Sequence, residues 1–539
     1  MKKTVVTSAL PYANGPIHLG HMVEYIETDI YVRYLKSRGE SVIYCCADDT
    51  HGAPIEINAR KQGITPEDLI NRSYREHQQD FHDFHVDFDS FYSTNSPENK
   101  EMSDLIFTRL RDRGDIYTKE IELTYCNQCE RFLPDRYVRG TCPRCGATDQ
   151  YGDNCESCNS TYQPTDLLHA TCALCGSVPT TRTSVHYFFK LTNYADRLRE
   201  FLTNKLIIQE NIRNFCLHWI DGGLKDWDIS RDAPYFGFPI VGETDKYYYV
   251  WLDAPIGYIA STKHYCEQRG LDYEDYWTRD TGRIIHFIGK DIIYFHFLFW
   301  PAMLMGAGFQ LPEAIHVHGF LTVNGEKMSK SRGTFITARQ YLNALNPDYL
   351  RYYYAAHLGN KVSDVDLDLE HFRQMVSGQL VDNILNLANR VLKFTASRLD
   401  GRLTAGALPP SPDRVGEILS SIQTHYAELD FSRVVRDLGE LGDIGNQFIQ
   451  ETQPWSQIKT SEDEARTTVS RAVDLLRRMA ICMSPILPTT TQRLFSQMNS
   501  PVQTLQDLDH TFSDHRIGTP EPLLPRIDKV DLISSEEGS

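Results

Sequence analysis

The sequence has no apolar run that suits a secretory signal or a membrane span. The apolar residues after Lys3 stop at Pro11, which is too early for the centre of a signal peptide. The window 292–311 is long enough to span a membrane, but it contains His296 and Pro301, so we expect a buried helix there. We therefore expect a cytoplasmic protein.

An excess of positive charge is also lacking. The 55 Lys and Arg residues are outnumbered by 72 Asp and Glu residues, for a formal net charge of −17. This excludes a protein that coats nucleic acid without sequence preference, but it allows a localised basic face that recognises one RNA. Because 539 residues exceed a single hydrophobic core, we expect three or more domains.

Cysteine, by contrast, is abundant, and its spacing indicates metal binding. Of 13 cysteines, eight form four Cys-x-x-Cys pairs, with 12, 9 and 13 residues between successive pairs. A redox dithiol would need one such pair at the start of a helix, not four in tandem. Two pairs complete a tetrahedral four-thiolate zinc site, which is closed to substrates and therefore structural. The short central spacer predicts an inner zinc nested within an outer one: Cys142, Cys145, Cys155 and Cys158 inside, and Cys126, Cys129, Cys172 and Cys175 outside.

A stretch near the start has the character of an anion site. His18-Leu19-Gly20-His21 follows a short apolar run and a turn-forming segment, and it precedes a helical pattern. The two histidines would share one face of the first helical turn, where backbone N–H groups and the helix dipole attract phosphate. Gly20 would let a flat ring approach the backbone.

A second stretch lies about three hundred residues downstream. Lys327-Met328-Ser329-Lys330-Ser331 forms a basic loop after the turn dipeptide Asn324-Gly325, and its lysines suit phosphate oxygens. Together the two stretches resemble the HIGH and KMSKS signatures of class I aminoacyl-tRNA synthetases, in the order of that family, with Leu19 in place of isoleucine. The resemblance implies ATP binding, with Mg²⁺ carried by the nucleotide.

Carboxylates follow two apolar strands. Asp48-Asp49 comes after the run 41–47, and Asp291 comes after the run 284–289. Ligands of open parallel sheets bind at such strand ends. We also predict an aromatic strand over Tyr247–Asp253, so that the aromatic side chains of several strand ends would line one pocket suited to a thioether. A plain aromatic core is the alternative.

The insert with the cysteine pairs, 116–228, resembles the two-zinc form of the connective insertion of methionyl-tRNA synthetases, and the stretches 9–15, 250–258 and 287–291 resemble segments of that family. The resemblance implies a methionine pocket, with Asp49 on the α-amino group, formed by Ala9, Leu10, Tyr12, Asp49, Trp251, Ala254, Pro255, Tyr258, Phe295 and His296. It implies ATP contacts from His18, Gly20, His21, Gly289, Asp291 and Lys330, with His18, His21, Lys327 and Lys330 acting in catalysis. Arg231 would lie near the phosphates or the carboxylate.

The C-terminal part has apolar stripes at helical spacing and predicts a helical bundle. Asn386 and Arg390 lie four residues apart, and Pro454-Trp455 follows a helix end. An amide, a guanidinium and an indole can bond to and stack on unpaired bases. By their resemblance to the family, these four residues would read the anticodon of tRNA(Met), including the initiator. Because the chain ends without the further C-terminal domain of many relatives, we expect a monomer.

We therefore expect an α/β fold of Rossmann type, with a parallel sheet split by a zinc-knuckle insertion, followed by an all-α anticodon-binding domain. The expected segments are 1–115 and 229–322 for the catalytic domain, 116–228 for the insertion, 323–377 for the second signature and stem-contact region, 378–525 for the bundle and 526–539 for a disordered tail. Two alternatives stay open, namely another class I synthetase, such as that for leucine, isoleucine or valine, and a non-catalytic zinc-ribbon RNA-binding protein.

Overall fold

The structure is a computed structural model that describes residues 2–134, 137–152, 155, 157–158, 160, 162, 164–279, 281–328 and 334–532. Lys330, which the sequence predicts to bind ATP, lies outside the described residues, as does the end of the predicted tail, 533–539. Within the described residues no helix is long and apolar enough to cross a membrane.

Strands and helices alternate in the first segment of the chain. Its strands are β1 (Lys3–Ser8), β2 (Val42–Asp48) and β3 (Ser90–Ser93), and its helices are α1 (Leu19–Ser37), α2 (Ala53–Gln62), α3 (Pro66–Asp83) and α4 (Pro97–Asp112). β1 and β2 are buried almost throughout, as in strands of a parallel sheet that is covered on both faces.

The cysteine-rich segment is built on a long antiparallel hairpin. Its strands are β4 (Ile116–Cys126), β5 (Arg131–Phe132), β6 (Val138–Thr141), β7 (Gln150–Tyr151), β8 (Leu168–Cys172), β9 (Thr180–Phe189) and β10 (Trp227–Asp228), and its helices are α5 (Ala195–Glu200) and α6 (Glu210–Asp221). β4 and β9 pair from Ile116 with Phe189 to Tyr125 with Thr180, which places the cysteine pairs at the far end of the hairpin.

The chain then returns to the parallel sheet. The next strands are β11 (Ser230–Asp232), β12 (Lys246–Tyr248), β13 (Gly282–Gly289), β14 (Ala314–His318), β15 (Leu321–Val323), β16 (Glu326–Lys327) and β17 (Val365–Leu367). The helices are α7 (Val250–Arg269), α8 (Glu274–Trp277), α9 (Trp300–Ala307), α10 (Ala338–Ala344), α11 (Pro347–His357) and α12 (Leu369–Met375).

The last segment is mainly helical. Helices α13 (Asn386–Arg398), α14 (Pro412–Ala427), α15 (Phe431–Thr452), α16 (Pro454–Gln457), α17 (Glu462–Met483) and α18 (Pro488–Gln497) form a bundle, joined by the small strands β18 (Arg402–Leu403) and β19 (His515–Arg516). A π-helical stretch, Val376–Leu385, connects α12 to α13 without a break. The expected boundary at 378 falls inside this helical run and stays a proposal.

The central sheet is parallel, with the strand order β14-β13-β1-β2-β3. The order reverses between β1 and β13, and a ligand crevice is expected outside the carboxyl ends of the strands at such a point. The predicted Rossmann-type sheet and the helical bundle are both confirmed.

One prediction about local structure is wrong. Tyr247–Asp253 is not a strand, because β12 ends at Tyr248 and α7 begins at Val250 with Pro255 inside it. An apolar run in the sequence is compatible with either a buried strand or a buried helix. Here α7 is buried continuously from Leu252 to Thr262, so its sequence shows no alternation of apolar and polar faces. The disordered tail over 526–539 stays a prediction, and among its described residues Ile527 and Leu532 are buried, with exposed fractions of 6% and 8%.

A buried ion pair joins α1 to the bundle. Arg351 on α11 has no exposed surface, and its Nη2 lies 2.6 Å from Oδ2 of Asp29 on α1. The same guanidinium donates to the carbonyls of Pro485 and Ile486, at 3.0 and 2.7 Å, in the loop after α17. Burial alone would raise the pKa of Asp29, but the charges of Arg33 and Arg351 outweigh it and hold that pKa below its usual value.

We predict that Arg351→Leu lowers the free energy of unfolding by about 3–5 kcal/mol, because Asp29 and two backbone carbonyls would be left buried without this partner. Urea unfolding would measure the change. Arg414→Leu is the control, since Arg414 pairs with Glu417 and Glu440 on the surface, and it should change the free energy of unfolding much less. Equal losses in the two variants would contradict the prediction.

Candidate functional site

A cleft of about 1840 Å³ opens at the carboxyl edge of the sheet and extends toward the cysteine-rich hairpin. Most of the predicted site residues line it: Ala9, Leu10, Tyr12, His18, Gly20, His21, Asp49, Arg231, Trp251, Gly289, Asp291 and Lys327. The other predicted pocket residues, Ala254, Pro255, Tyr258, Phe295 and His296, are buried or half-buried on α7 and on the segment before α9.

His18 and His21 form a reciprocal cap at the start of α1. The backbone N–H of His21 donates to Nδ1 of His18 at 3.3 Å, and the N–H of His18 donates to Nδ1 of His21 at 3.4 Å. Since each Nδ1 accepts, the hydrogen of each neutral ring is on Nε2. Burial lowers the pKa of His21 well below its usual value, with His18 and His77 lowering it further. The two rings stack with their centroids 3.5 Å apart. Because both Nδ1 atoms accept from the backbone, each ring has its Nε2–H group left as a donor at the start of α1.

The two signature stretches meet across the cleft. A Cβ on Gly20 would lie 2.5 Å from Cε of Met328, so the absence of a side chain there permits the contact. The chain after the second stretch also pairs with the first, since the N–H of Leu19 donates to the carbonyl of Ile336 at 3.0 Å. Residues more than three hundred positions apart in the sequence are thus in contact in the lining of the cleft.

Asp49 offers an unused acceptor to the cleft. Its Oδ1 is buried and accepts no hydrogen bond from the described residues. Burial, then the nearby carboxylate of Asp253, raises the pKa of Asp49 well above its usual value. Asp253 itself lies 2.5 Å from Nδ1 of His51. A buried carboxylate oxygen without a partner is stabilised by a cation, so this position suits an ammonium group.

The aromatic side chains form two contacting pairs below the cleft. Trp251 stacks on Phe295 with centroids 3.7 Å apart. Nδ1 of His296 donates to the carbonyl of Ile292 at 3.2 Å, so its Nε2 accepts the hydroxyl hydrogen of Tyr258 at 2.9 Å. Burial lowers the pKa of His296 to about 4, which keeps the ring neutral. The structure therefore brings these four predicted residues together. Trp251 and Tyr258 lie on α7 and not at the end of a strand as predicted, whereas Phe295 and His296 lie in a helical segment, as predicted.

Gly289 and Asp291 lie where β13 ends. A Cβ on Gly289 would lie 2.7 Å from Oδ1 of Asp291, so the glycine leaves this carboxylate room beside the backbone. Asp291 is exposed in the cleft. Its position suits hydroxyl groups of a ligand.

The sequence analysis missed Glu24 and His318, which also line the cleft. Oε2 of Glu24 lies 3.1 Å from Nε2 of His318. Burial would lower the pKa of His318, but its bond to Glu24 and the charges of Glu24 and Glu27 raise it to about 9. His318 ends β14, so the strand-end rule that selected Asp291 would also have found it.

The cysteines form the two nested groups that the spacing predicts. Within each group of four, the sulfur atoms all lie within 4.8 Å of one another. In the outer group Cys126 and Cys175 are 3.5 Å apart, and in the inner group Cys142 and Cys158 are 3.9 Å apart. Tetrahedral zinc with Zn–S bonds near 2.3 Å places sulfurs about 3.8 Å apart. Both groups could therefore hold a metal ion, and the donors fit zinc.

The predicted base-reading residues share one face of the bundle. The guanidinium of Arg390 lies 5.8 Å from the Trp455 ring, whose residue is 39% exposed. Asn386 is exposed one turn before Arg390, and Pro454 is buried beside Trp455. Nη1 of Arg390 donates to Oδ1 of Asn446 at 3.4 Å, a contact that the sequence analysis missed because Asn446 lies on α15.

Comparisons with known proteins agree with this geometry. A family described as tRNA synthetases class I (M) matches residues 4–392, and one described as the anticodon binding domain of methionyl tRNA ligase matches residues 412–531. The methionine–tRNA ligase of Myxococcus xanthus is 51% identical over 540 residues, which cover 98% of this chain and 77% of that one.

Two solved structures are similar over nearly the whole chain. The Mycobacterium tuberculosis methionyl-tRNA synthetase in complex with methionyl-adenylate has a TM-score of 0.79 and 25% identity, covering 98% of this chain and 100% of that one. The apo form of the same enzyme has a TM-score of 0.72 and 24% identity, covering 98% and 99%.

Burial raises the pKa of Glu27, which lies on α1 near Glu24, to about 7 from an ordinary 4.5. Between these values the folded chain binds more protons than the unfolded chain and loses stability as pH rises. We predict that Glu27→Gln is more stable than the native chain by roughly 1–3 kcal/mol at pH 8, and that this advantage is lost at about pH 4.5.

Urea unfolding at the two pH values would measure this difference. Glu428→Gln, at an exposed position, should change little at either pH. An advantage of equal size at both pH values would show that the effect does not come from ionisation of Glu27.

Proposed function

Since the chain belongs to the methionyl-tRNA synthetases of class I and its activity is that of a methionine–tRNA ligase, we propose that methionine and ATP react in the cleft at the carboxyl edge of the sheet. The observation that carries this proposal is the contact of Gly20 with Met328 across the cleft. It supports a single anion site shared by the two signature stretches. Membership of this family also removes the two alternatives that the sequence left open.

The first step needs no protein nucleophile. The carboxylate oxygen of methionine attacks the α-phosphorus of ATP, the new O–P bond forms, and the bond to pyrophosphate breaks. Positioning and stabilisation of charge then supply the rate. Nε2–H groups of His18 and His21 donate to phosphate oxygens, and Lys327, with Lys330 of the same stretch, neutralises the departing pyrophosphate. Mg²⁺ bound to ATP would supply further charge stabilisation there.

The remaining cleft residues hold the two substrates. Asp49 binds the α-ammonium of methionine through its unused Oδ1, and Arg231 binds an oxyanion. Gly289 and Asp291 hold the ribose. The paired aromatic residues below the cleft, with Ala9, Leu10, Tyr12, Ala254 and Pro255, enclose the thioether.

The second step transfers the methionyl group to the 3′ end of tRNA(Met), initiator included. Asn386, Arg390, Pro454 and Trp455 read the anticodon on the bundle. Zinc in both cysteine groups would stabilise the cysteine-rich end of the insertion, where the described residues form only a small hydrophobic cluster around Leu133, Tyr137 and Val138. We further propose a cytoplasmic location, supported by the grouping of eight cysteines in metal-type quartets, and a monomer.

We predict that ATP–pyrophosphate exchange, tested with all twenty amino acids, occurs with methionine alone, and that the same sample holds two zinc ions per chain. Asp49→Asn should weaken methionine binding by roughly a hundredfold, because a charged hydrogen bond to the ammonium is lost (about 1.5–3 kcal/mol). Asp112→Asn, at an exposed position of α4, is the control. Exchange with a different amino acid would overturn the thioether pocket.

We predict that Trp455→Ala lowers kcat/KM for tRNA charging by roughly tenfold to a hundredfold, because stacking of one base is worth about 1–3 kcal/mol. Pyrophosphate exchange should be unchanged, since the cleft is on another part of the molecule. Leu408→Ala, which removes another exposed apolar side chain of this segment, should change neither. Loss of both activities in Trp455→Ala would make Trp455 a structural residue.

A further inference from the structure

A histidine beside the cleft bridges two carboxylates. His186 on β9 is 2% exposed. Its Nδ1 lies 2.8 Å from Oδ2 of Asp228 on β10, and its Nε2 lies 2.9 Å from Oδ2 of Asp232 on β11. All three residues line the cleft together with Arg231. None of the three was predicted from the sequence to belong to the site.

The two carboxylates require His186 to be an imidazolium. A neutral ring has one N–H donor, whereas both nitrogens here face carboxylate oxygens. Asp232 is ionised, because it also accepts from Lys246 and, at 2.8 Å, from Ser184. Burial would lower the pKa of His186, but the bonds to Asp228 and Asp232 outweigh burial and raise it. Among the described residues, the other polar groups that contact the two carboxylates are Lys246 and Ser184 at Asp232, and Ser230 and Arg231 at Asp228.

Arg231 depends on the same carboxylate. Its Nη1 donates to Oδ2 of Asp228 at 3.3 Å and to the carbonyl of Ser230 at 2.6 Å, and its guanidinium lies 3.7 Å from the Tyr249 ring. Nε and Nη2 have no acceptor among the described residues. The guanidinium is therefore oriented by a long ion pair, a short hydrogen bond to a backbone carbonyl and an aromatic ring, and its Nε and Nη2 groups stay available.

We propose that His186 is a positioning residue whose imidazolium binds Asp228 and offsets its negative charge. The N–H donors of Arg231 are then directed toward an oxyanion in the cleft and not toward Asp228. The inference rests on the proposed function, because the oxyanion is either the carboxylate of methionine or a phosphate of ATP. Asp228 accepts from His186 and Arg231 through the same Oδ2. Without the imidazolium, the full charge of Asp228 draws Arg231 away from the oxyanion.

The test compares methionine with methioninol, in which an alcohol replaces the carboxylate and the ammonium and thioether are unchanged. Dissociation constants are measured for the full chain and for His186→Gln, and KM for ATP is measured in methionine-dependent exchange. If Arg231 holds the carboxylate, His186→Gln raises the dissociation constant of methionine by roughly fivefold to twentyfold and that of methioninol by less than twofold. If it holds a phosphate, KM for ATP rises by a similar factor and methionine binding is unchanged.

A double variant separates positioning from simple structural damage. Because His186 acts through Asp228, adding Asp228→Asn to His186→Gln should restore at least half of the lost affinity on a logarithmic scale. His82→Gln, with 84% of its side chain exposed, is the control. Three results would overturn the proposal. They are an equal loss of affinity for methionine and methioninol, no change in any of the measured constants, and no recovery of affinity when Asp228→Asn is added.

The native chain shows whether the underlying assignment holds. Methionine-dependent exchange in the native chain, together with unequal affinities for methionine and methioninol, supports the cleft assignment independently of His186. If the native chain shows no such exchange, the proposed cleft is wrong. If the native chain shows exchange but His186→Gln changes none of the measured constants, only the positioning role of His186 is wrong.

Discussion

The buried pair of Asp29 and Arg351 is the interaction on which the rest of the structure depends. Asp29 lies in the middle of α1, whose first turn forms the cap at His18 and His21. Arg351 binds this helix and the loop after α17 at once. Because helices pack as rigid elements, fixing the middle of α1 also fixes its N-terminus. The histidine donors that we propose for phosphate are thus held by a contact that also anchors the bundle.

Packing around α1 extends this coupling. Tyr34 on α1 stacks on Tyr426 of α14, with centroids 5.1 Å apart, and its hydroxyl donates to the carbonyl of Gln423 at 3.0 Å. The buried residues of α1 and those of the bundle belong to one continuous core. A charge in such a core must keep its partner, so Asp29 and Arg351 restrict α1 and α11 to one relative position. The surface around Trp455 and the cleft are therefore parts of one packed body.

The features that could be predicted from sequence are those in which a few local residues specify the chemistry. The cysteine spacing predicted both nested quartets, and the two signature stretches marked residues that meet across the cleft. Trp251 was assigned to a strand and Tyr258 to the segment after it, although both lie on one helix, because a fully buried helix has no polar face to show its period. Glu24, His186 and Asn446 were missed, since each acts through a partner distant in sequence. Such pairs depend on tertiary contacts that no spacing encodes.

The local charge of the cleft differs from that of the whole chain. The net charge of −17 would repel a polyphosphate, yet the cleft places Arg231, Lys327 and two neutral histidine donors on its lining. Two of its acids are paired with a histidine, Glu24 with His318 and Asp228 with His186. Asp49 has no such partner, because its buried Oδ1 accepts no hydrogen bond from the described part of the chain. In the proposed arrangement the ammonium of a zwitterion binds at Asp49, and Arg231 faces either its carboxylate or a phosphate of ATP. Each of these is an oxyanion that a chain of this net charge would otherwise repel.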